Sequence, residues 1–387
     1  MKYTKDSTIL ILRELMKLLN SIQKKSYHYP LLFILWLITH GILWQSNGPK
    51  LGADSRFFFY LSDDILNHQM TFDRSVWYLT YGIFITFFRL FTQKIEAIVV
   101  GQLALNFLSG VCLYQIIKKY SDHSTIAFLG TFAYLFFPIS LEWNYIIYSE
   151  SLFTSLSIIT FYFFTRKKYW KFTFLFLLTF FTRPNGIVLL SALVIAYFLE
   201  LYQSKKIKRS YIIGISSIGF LLLLIILNRM MSFYGPLMIE GYLIAEIIYP
   251  KYTYFIQPID SPFLISKDQN ILLQLIGFSF GNLWYSIQLF TIKSLFFWGH
   301  IKPYYSTLHN LIIAVTLYPL YFISVLGIRQ INKWDLLLRS FVLFILFQGL
   351  VVGLTSENWD GRFLPPLLPY LIILGCIGLK KYPTLSK

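Results

Sequence analysis

Apolar runs long enough to cross a hydrocarbon core of ~30 Å recur along this chain, separated by short connections rich in lysine and arginine. That alternation constrains the fold more than any other feature. Lipid offers backbone amides no partner, so only helices and closed barrels can span it. Of 387 residues, 56% are hydrophobic and only 13% charged, with mean hydropathy +0.59, whereas soluble chains carry about twice that share of charge. The expected fold is an all-α polytopic membrane protein.

A net charge of +16 could suggest nucleic acid, but its distribution argues against that partner. The basic residues gather at Lys118-Lys119, Arg166-Lys167-Lys168, Lys205 to Arg209, Arg329 to Lys333 and Lys380-Lys381. This is the cytoplasmic signature that orients a membrane protein. Cys112 and Cys376 fall inside apolar spans and read as small core residues. The first run follows a tail of mixed charge with no small-residue cleavage site after it, and reads as a retained anchor.

With the basic clusters inside, the expected spans are about Pro30–Trp44, Ala97–Ile117, Thr125–Leu141, Ser151–Thr165 and Phe172–Thr182. They continue at Ile187–Tyr202, Tyr211–Asn228, Asn310–Ile328, Leu336–Leu354 and Phe363–Leu379. The chain is then one membrane-embedded domain over 1–387, with about ten transmembrane helices and both ends cytoplasmic. Residues 1–29 form a cytoplasmic tail, 46–96 a first outer loop and 229–308 a long outer loop. Val76 to Phe91, interrupted by Arg89, should lie as an interfacial or re-entrant helix on the outer surface. Pro236, Pro250, Pro258, Pro262 and Pro303 argue against an uninterrupted span in the long outer loop, and aromatic Ile271 to Phe297 should rest along the interface.

On this path the acids and isolated arginines collect at the outer face. In Gly52-Ala53-Asp54-Ser55-Arg56, a turn opens an amphipathic helix with Phe57, Phe58, Leu61 and Ile65 on one face. Asp54 projects to that same side, either as an N-cap or as a general base. Asp63 and Asp64 suit a solvated face or a site. Arg183, in Thr182-Arg183-Pro184-Asn185-Gly186, can snorkel to headgroups or grip a phosphate through its planar fork. Arg362, in Asp360-Gly361-Arg362-Phe363-Leu364-Pro365-Pro366, can neutralise Asp360 or make a second phosphate or sugar contact. Glu150 either caps a span or takes part in chemistry. Trp298-Gly299-His300-Ile301-Lys302-Pro303-Tyr304 reads as an aromatic belt or as a lid over a lipid-phosphate headgroup. No nucleotide-binding glycine loop, zinc-spaced His/Cys set or nucleophile elbow occurs.

Taken together, the chain resembles the multi-spanning glycosyltransferases of the GT-C superfold, and within them the aminoarabinose transferase and protein O-mannosyltransferase families. Gly52-Ala53-Asp54-Ser55 with Tyr60 downstream, Trp77 to Gly82, Ser149-Glu150-Ser151, Thr182 to Gly186 and Gly361 to Pro366 carry the likeness. It covers most of the chain, although each motif is short. It implies an outer-face enzyme of a bacterial cytoplasmic membrane that takes one sugar from a polyprenyl-phosphate donor. The acceptor would be a glycan, lipid or protein. Asp54 would be the base and Arg183 and Arg362 the phosphate ligands. Arg56, Tyr60, Asp63, Asp64, Glu150, Asn185, His300, Lys302 and Tyr304 are further candidates for substrate contact. No cofactor is required by the pattern, and a divalent metal stays open. The adjacent acidic pair common in the family falls later here, at Asp63-Asp64. A glycan polymerase or ligase would use the same surface. A lipid-linked glycan transporter would place charge in the middle of spans, and a noncatalytic scaffold would leave the outer acid and arginines unexplained.

Overall fold

The computed structural model describes residues Tyr27 to Lys380 except Phe72 and 205–208. The tail at 1–26, the basic run at 205–208 and Lys381 therefore lie outside the described residues. The chain is an all-α membrane protein. Helices α1 (His28–Ser46), α2 (Ser55–Leu66), α3 (Leu79–Arg89), α4 (Ile95–Ser121), α5 (Ser124–Leu135), α6 (Pro138–Leu141) and α7 (Ser149–Thr165) form its first half. Then come α8 (Tyr169–Phe180), α9 (Asn185–Ser204), α10 (Arg209–Leu243), α11 (Ile271–Gly281), α12 (Leu283–Gly299), α13 (Thr307–Gln330), α14 (Leu336–Leu354) and α15 (Leu368–Leu379).

Among the described residues, six helices are long and apolar enough to cross a membrane, or seven if the pair α5–α6 is one bent span. That pair bends by 55°. Pro138 has no N–H to continue the ladder and holds Phe137 extended, so the stretch expected as one rod breaks there. Ten spans are not reached by this measure, because α7, α8 and α15 have 17, 12 and 12 residues. Their shortness has a packing reason in α15, where every residue from Leu368 to Gly378 is buried. A helix apolar on all sides belongs in a core, and α13, α5 and α4 surround this one.

Helices α13 and α15 touch backbone to backbone. A Cβ on Gly327 would fall inside contact distance of the Leu374 carbonyl oxygen, and Ser324 Oγ donates to Leu371 O at 2.7 Å. Gly327→Val should therefore cost on the order of 3 kcal/mol by overpacking, read as a lower unfolding temperature in detergent. Gly41, with nothing within 4 Å of its would-be Cβ, serves as the control. Wild-type unfolding of the valine variant would contradict the close crossing.

The interior of α4 is more polar than its hydropathy suggests. Gln102 donates to the carbonyls of Asn144 and Ile146, both at 3.0 Å, and accepts from Tyr81 Oη at 2.8 Å. Asn106 accepts from Trp36 Nε1 at 3.3 Å. Each buried group finds a partner, as lipid-embedded polar groups must, and the bonds tie α4 to its neighbours.

Three segments differ in detail from their expected outline. Helix α10 passes Pro236 and ends only at Leu243, so it crosses the boundary expected after Asn228. The stretch Ile271 to Phe297 is two helices, broken at Asn282, whose side chain bonds both backbone groups of Phe263 and the Phe278 carbonyl. The stretch Val76 to Phe91 becomes a 3₁₀ turn (Arg74–Tyr78) and α3, whose 11 residues span about 16 Å, too short to cross. Helix α3 pairs with α2 through Gly82, where a side chain would strike Leu61.

Candidate functional site

Three helices carry opposite chemistry at their two ends. Helix α7 starts beside Glu150 and ends at Arg166, α8 runs from Lys168 toward Arg183, and the stretch from Arg362 through α15 ends at Lys380. Glu150, Arg183 and Arg362 thus share one end of the bundle, and Arg166, Lys168 and Lys380 share the other.

Local bonds bring Asp54 to that end. Lys50 pairs with Ile146 as a parallel bridge: Lys50 N donates to Tyr145 O at 2.8 Å and Ile147 N to Lys50 O at 3.1 Å. Gly52 leaves room for the Tyr148 ring, which any side chain there would overlap. Ser55 Oγ donates to Ile147 O at 3.0 Å and accepts from Gly52 N at 2.8 Å. Asp54 N donates to Tyr148 Oη at 3.3 Å. The loop before α2 is thereby stitched to the segment before α7.

Asp54 occupies the N-cap position of α2, yet its carboxylate caps nothing. It accepts instead from Arg362 Nη1. This corrects two sequence readings, Asp54 as a cap and Arg362 as the neutraliser of Asp360 alone. Arg362 also places Nε 3.8 Å from Glu150 Oε1, the same oxygen that lies 3.2 Å from Arg183 Nη2. Glu150 is no side-chain cap either. Asp54, Glu150, Arg183 and Arg362 therefore converge in one cluster.

Each arginine is aimed by a tight turn. Thr182 Oγ1 donates to Leu178 O at 2.7 Å and Gly186 N to Arg183 O at 2.9 Å, while a Cβ on Gly186 would meet the Phe180 carbonyl. Arg183 is 4% exposed, its guanidinium 5.9 Å from the Phe153 ring and 6.0 Å from Phe363. Its Nε and Nη1, and Nε of Arg362, are buried without a hydrogen-bond partner. Arg362 follows Gly361, whose φ of +72° and contact with the His300 ring admit no side chain. Strand β1 (Ile248–Tyr249) pairs in parallel with β2 (Glu357–Asn358) to hold the preceding loop, and the Tyr304 and Tyr305 hydroxyls donate to Trp359 O at 2.8 and 3.1 Å.

His300 and Lys302 are thus too buried to form a lid, whereas Tyr304 is partly exposed. His300 is 2% exposed, and Lys302 is fully buried beside Glu357, 3.8 Å away. They buttress the Arg362 turn from behind. Asp63 is joined to Arg89 Nη2 at 2.7 Å, with its side chain partly exposed. Asn185 donates to Gln348 Oε1 at 2.7 Å, linking α9 to α14. Arg56 and Tyr60 are exposed on α2 and Asp64 is half-buried. Tyr148 also belongs to the cluster, its ring 5.5 Å from the Arg362 guanidinium, and its only sequence signal is that Glu150 follows it by two residues. Tyr78 and Tyr234 hydrogen-bond to each other beside the cluster. Only the third dimension brings α10 to that place.

The electrostatics follow from burial and neighbours. Burial alone would lower the Arg362 pKa, but Glu150, Asp54 and Asp360 together hold it above its ordinary value. Burial pushes His300 down to about 3, so it is neutral at pH near 7. In the buried pair, desolvation raises Glu357 and lowers Lys302. Burial lifts the Asp360 carboxyl from 3.8 to about 6, against the pull of Arg362. Between those values the folded protein binds more proton than the unfolded chain. The stabilisation from that proton is complete below 3.8 and lost as pH rises through about 6. Asp360→Asn should therefore flatten the fall in unfolding temperature over that window, and an unchanged slope would count against it.

Among the described residues, no group of three or more His, Cys, Asp or Glu side chains is placed to hold a metal ion. Searches of family models, curated proteins and solved structures returned no match to this chain.

Proposed function

We propose that the protein is a glycosyltransferase that moves a single sugar from a polyprenyl-phosphate donor to an acceptor hydroxyl, with inversion. The observation that carries this reading is the convergence of Asp54, from the first loop, on Arg362, with Arg183 joined to the same cluster through Glu150. Buried guanidinium donors without partners favour an anionic ligand, because an unmet N–H costs free energy that a phosphate oxygen recovers.

The donor-free arrangement suggests an order of events. Phosphate oxygens take over the donors of Arg362 and release Asp54. The freed carboxylate accepts the proton of the acceptor hydroxyl. The acceptor oxygen bonds to the anomeric carbon as the bond from that carbon to phosphate oxygen breaks. Its electron pair stays on the departing polyprenyl phosphate, where Arg183 and Arg362 stabilise the growing charge. Holding donor and acceptor together lowers the remaining barrier.

The same reading includes the ten-span path, with short α7, α8 and α15 counted as spans. It places the cluster on the outer face of a bacterial cytoplasmic membrane, because the opposite ends carry the basic residues. Mass analysis of surface glycans from cells with and without the protein tests this function. Loss of one sugar residue per glycan is expected. Shortened polymers would point to a polymerase, and an unchanged glycan profile would count against the reading.

A further inference from the structure

Glu150 is the charged group on which the site converges, yet the proposed chemistry assigns it no task. Its side chain is 3% exposed and contacts both guanidiniums through one oxygen. Two buried like charges, brought together from separate turns, repel unless an anion stands between them. Asp54 is unsuited to that role. Its side chain is 46% exposed, meets Arg362 alone, and has to be free to take a proton. Glu150 sits in the first turn of α7, where the helix N-terminus favours negative charge.

Glu150 also lines a cavity of about 20 Å³ with Asn106, Tyr134, Asn144, Ser151 and Thr154. That space is about the size of one water, and the amide, hydroxyl and carboxylate groups in its mixed lining with Trp143 and Pro365 offer partners. A water there can donate to the carboxylate.

We propose that Glu150 is a positioning residue that aims Arg183 and Arg362 at one anion and stays in place when that anion displaces Asp54. The proposal rests on the reading that these arginines receive the donor phosphate. It makes a prediction opposite in sign to simple electrostatics. Removing a negative charge beside an anion site should tighten anion binding by Coulomb attraction alone. Removing the group that aims both guanidiniums should weaken it.

Equilibrium binding of undecaprenyl phosphate to the full-length protein in detergent separates the two. Glu150→Gln, checked for native helicity and monodispersity, is expected to bind on the order of tenfold more weakly. Glu150→Asp keeps the charge but withdraws it by one methylene, and should also bind more weakly. It decides the matter if the glutamine variant does not fold. Unchanged or tighter binding by folded Glu150→Gln, or wild-type binding by Glu150→Asp, overturns the proposal alone. Absence of binding by the wild-type protein overturns the donor reading, and the proposal with it.

Discussion

Asp54→Asn is expected to reduce sugar transfer by about three orders of magnitude, within the range associated with loss of a general base. The amide oxygen can still accept from Arg362, so expression and membrane insertion should be kept. Donor affinity should not fall, because the substitution removes a competitor for the Arg362 donors. The informative measurement is turnover at saturating donor and acceptor, beside donor binding by the same preparation. Near-normal turnover would remove Asp54 from the chemistry.

Arg183→Lys has the next largest expected effect. Lysine keeps the positive charge near Glu150 but lacks the planar fork, and Arg183 has two buried N–H groups free for a ligand. Loss of charge-assisted hydrogen bonds of about 1.5–3 kcal/mol corresponds to roughly 10- to 100-fold in kcat/KM. A phosphate contact made in both ground and transition states raises KM, whereas one that strengthens with the departing charge lowers kcat. Wild-type donor affinity and turnover in this variant would assign Arg183 a structural role only.

The two substitutions differ in what they ask of the surroundings. Asp54 is half-exposed and meets one partner, so its replacement perturbs little besides the proton acceptor. Arg183 is enclosed by Phe153, Phe363 and Glu150, so its replacement also tests whether the pocket tolerates a shorter cation. Parallel unfolding measurements separate lost packing from lost ligand contact.

How far the site could be read in advance depended on how local its causes were. The run Gly52 to Arg56 announces a turn before an amphipathic helix, and Thr182 to Gly186 announces a turn between helices, because glycine and proline act on the nearest backbone. Asp54, Arg183 and Arg362 could therefore be placed at one end of the bundle from the order of these turns and the basic clusters. Their partners could not be. The nearest acid to Arg362 in sequence is Asp360, but its side chain meets Asp54 and Glu150, more than two hundred residues away. His300 and Lys302 looked amphipathic and interfacial, but they are buried under the Arg362 turn, where Gly361 leaves space for the imidazole.

The sequence by itself determined an all-helical chain in lipid, the polarity of its helix ends and the turns that bear the charges. These depend on hydropathy and local backbone preference, which act over a few residues. Only the tertiary structure decided which carboxylate meets which guanidinium, that α15 is a core helix and that α10 reaches Tyr78. Those outcomes depend on side-chain fit between distant segments, as where Gly327 admits the Leu374 carbonyl and Gly52 admits the Tyr148 ring.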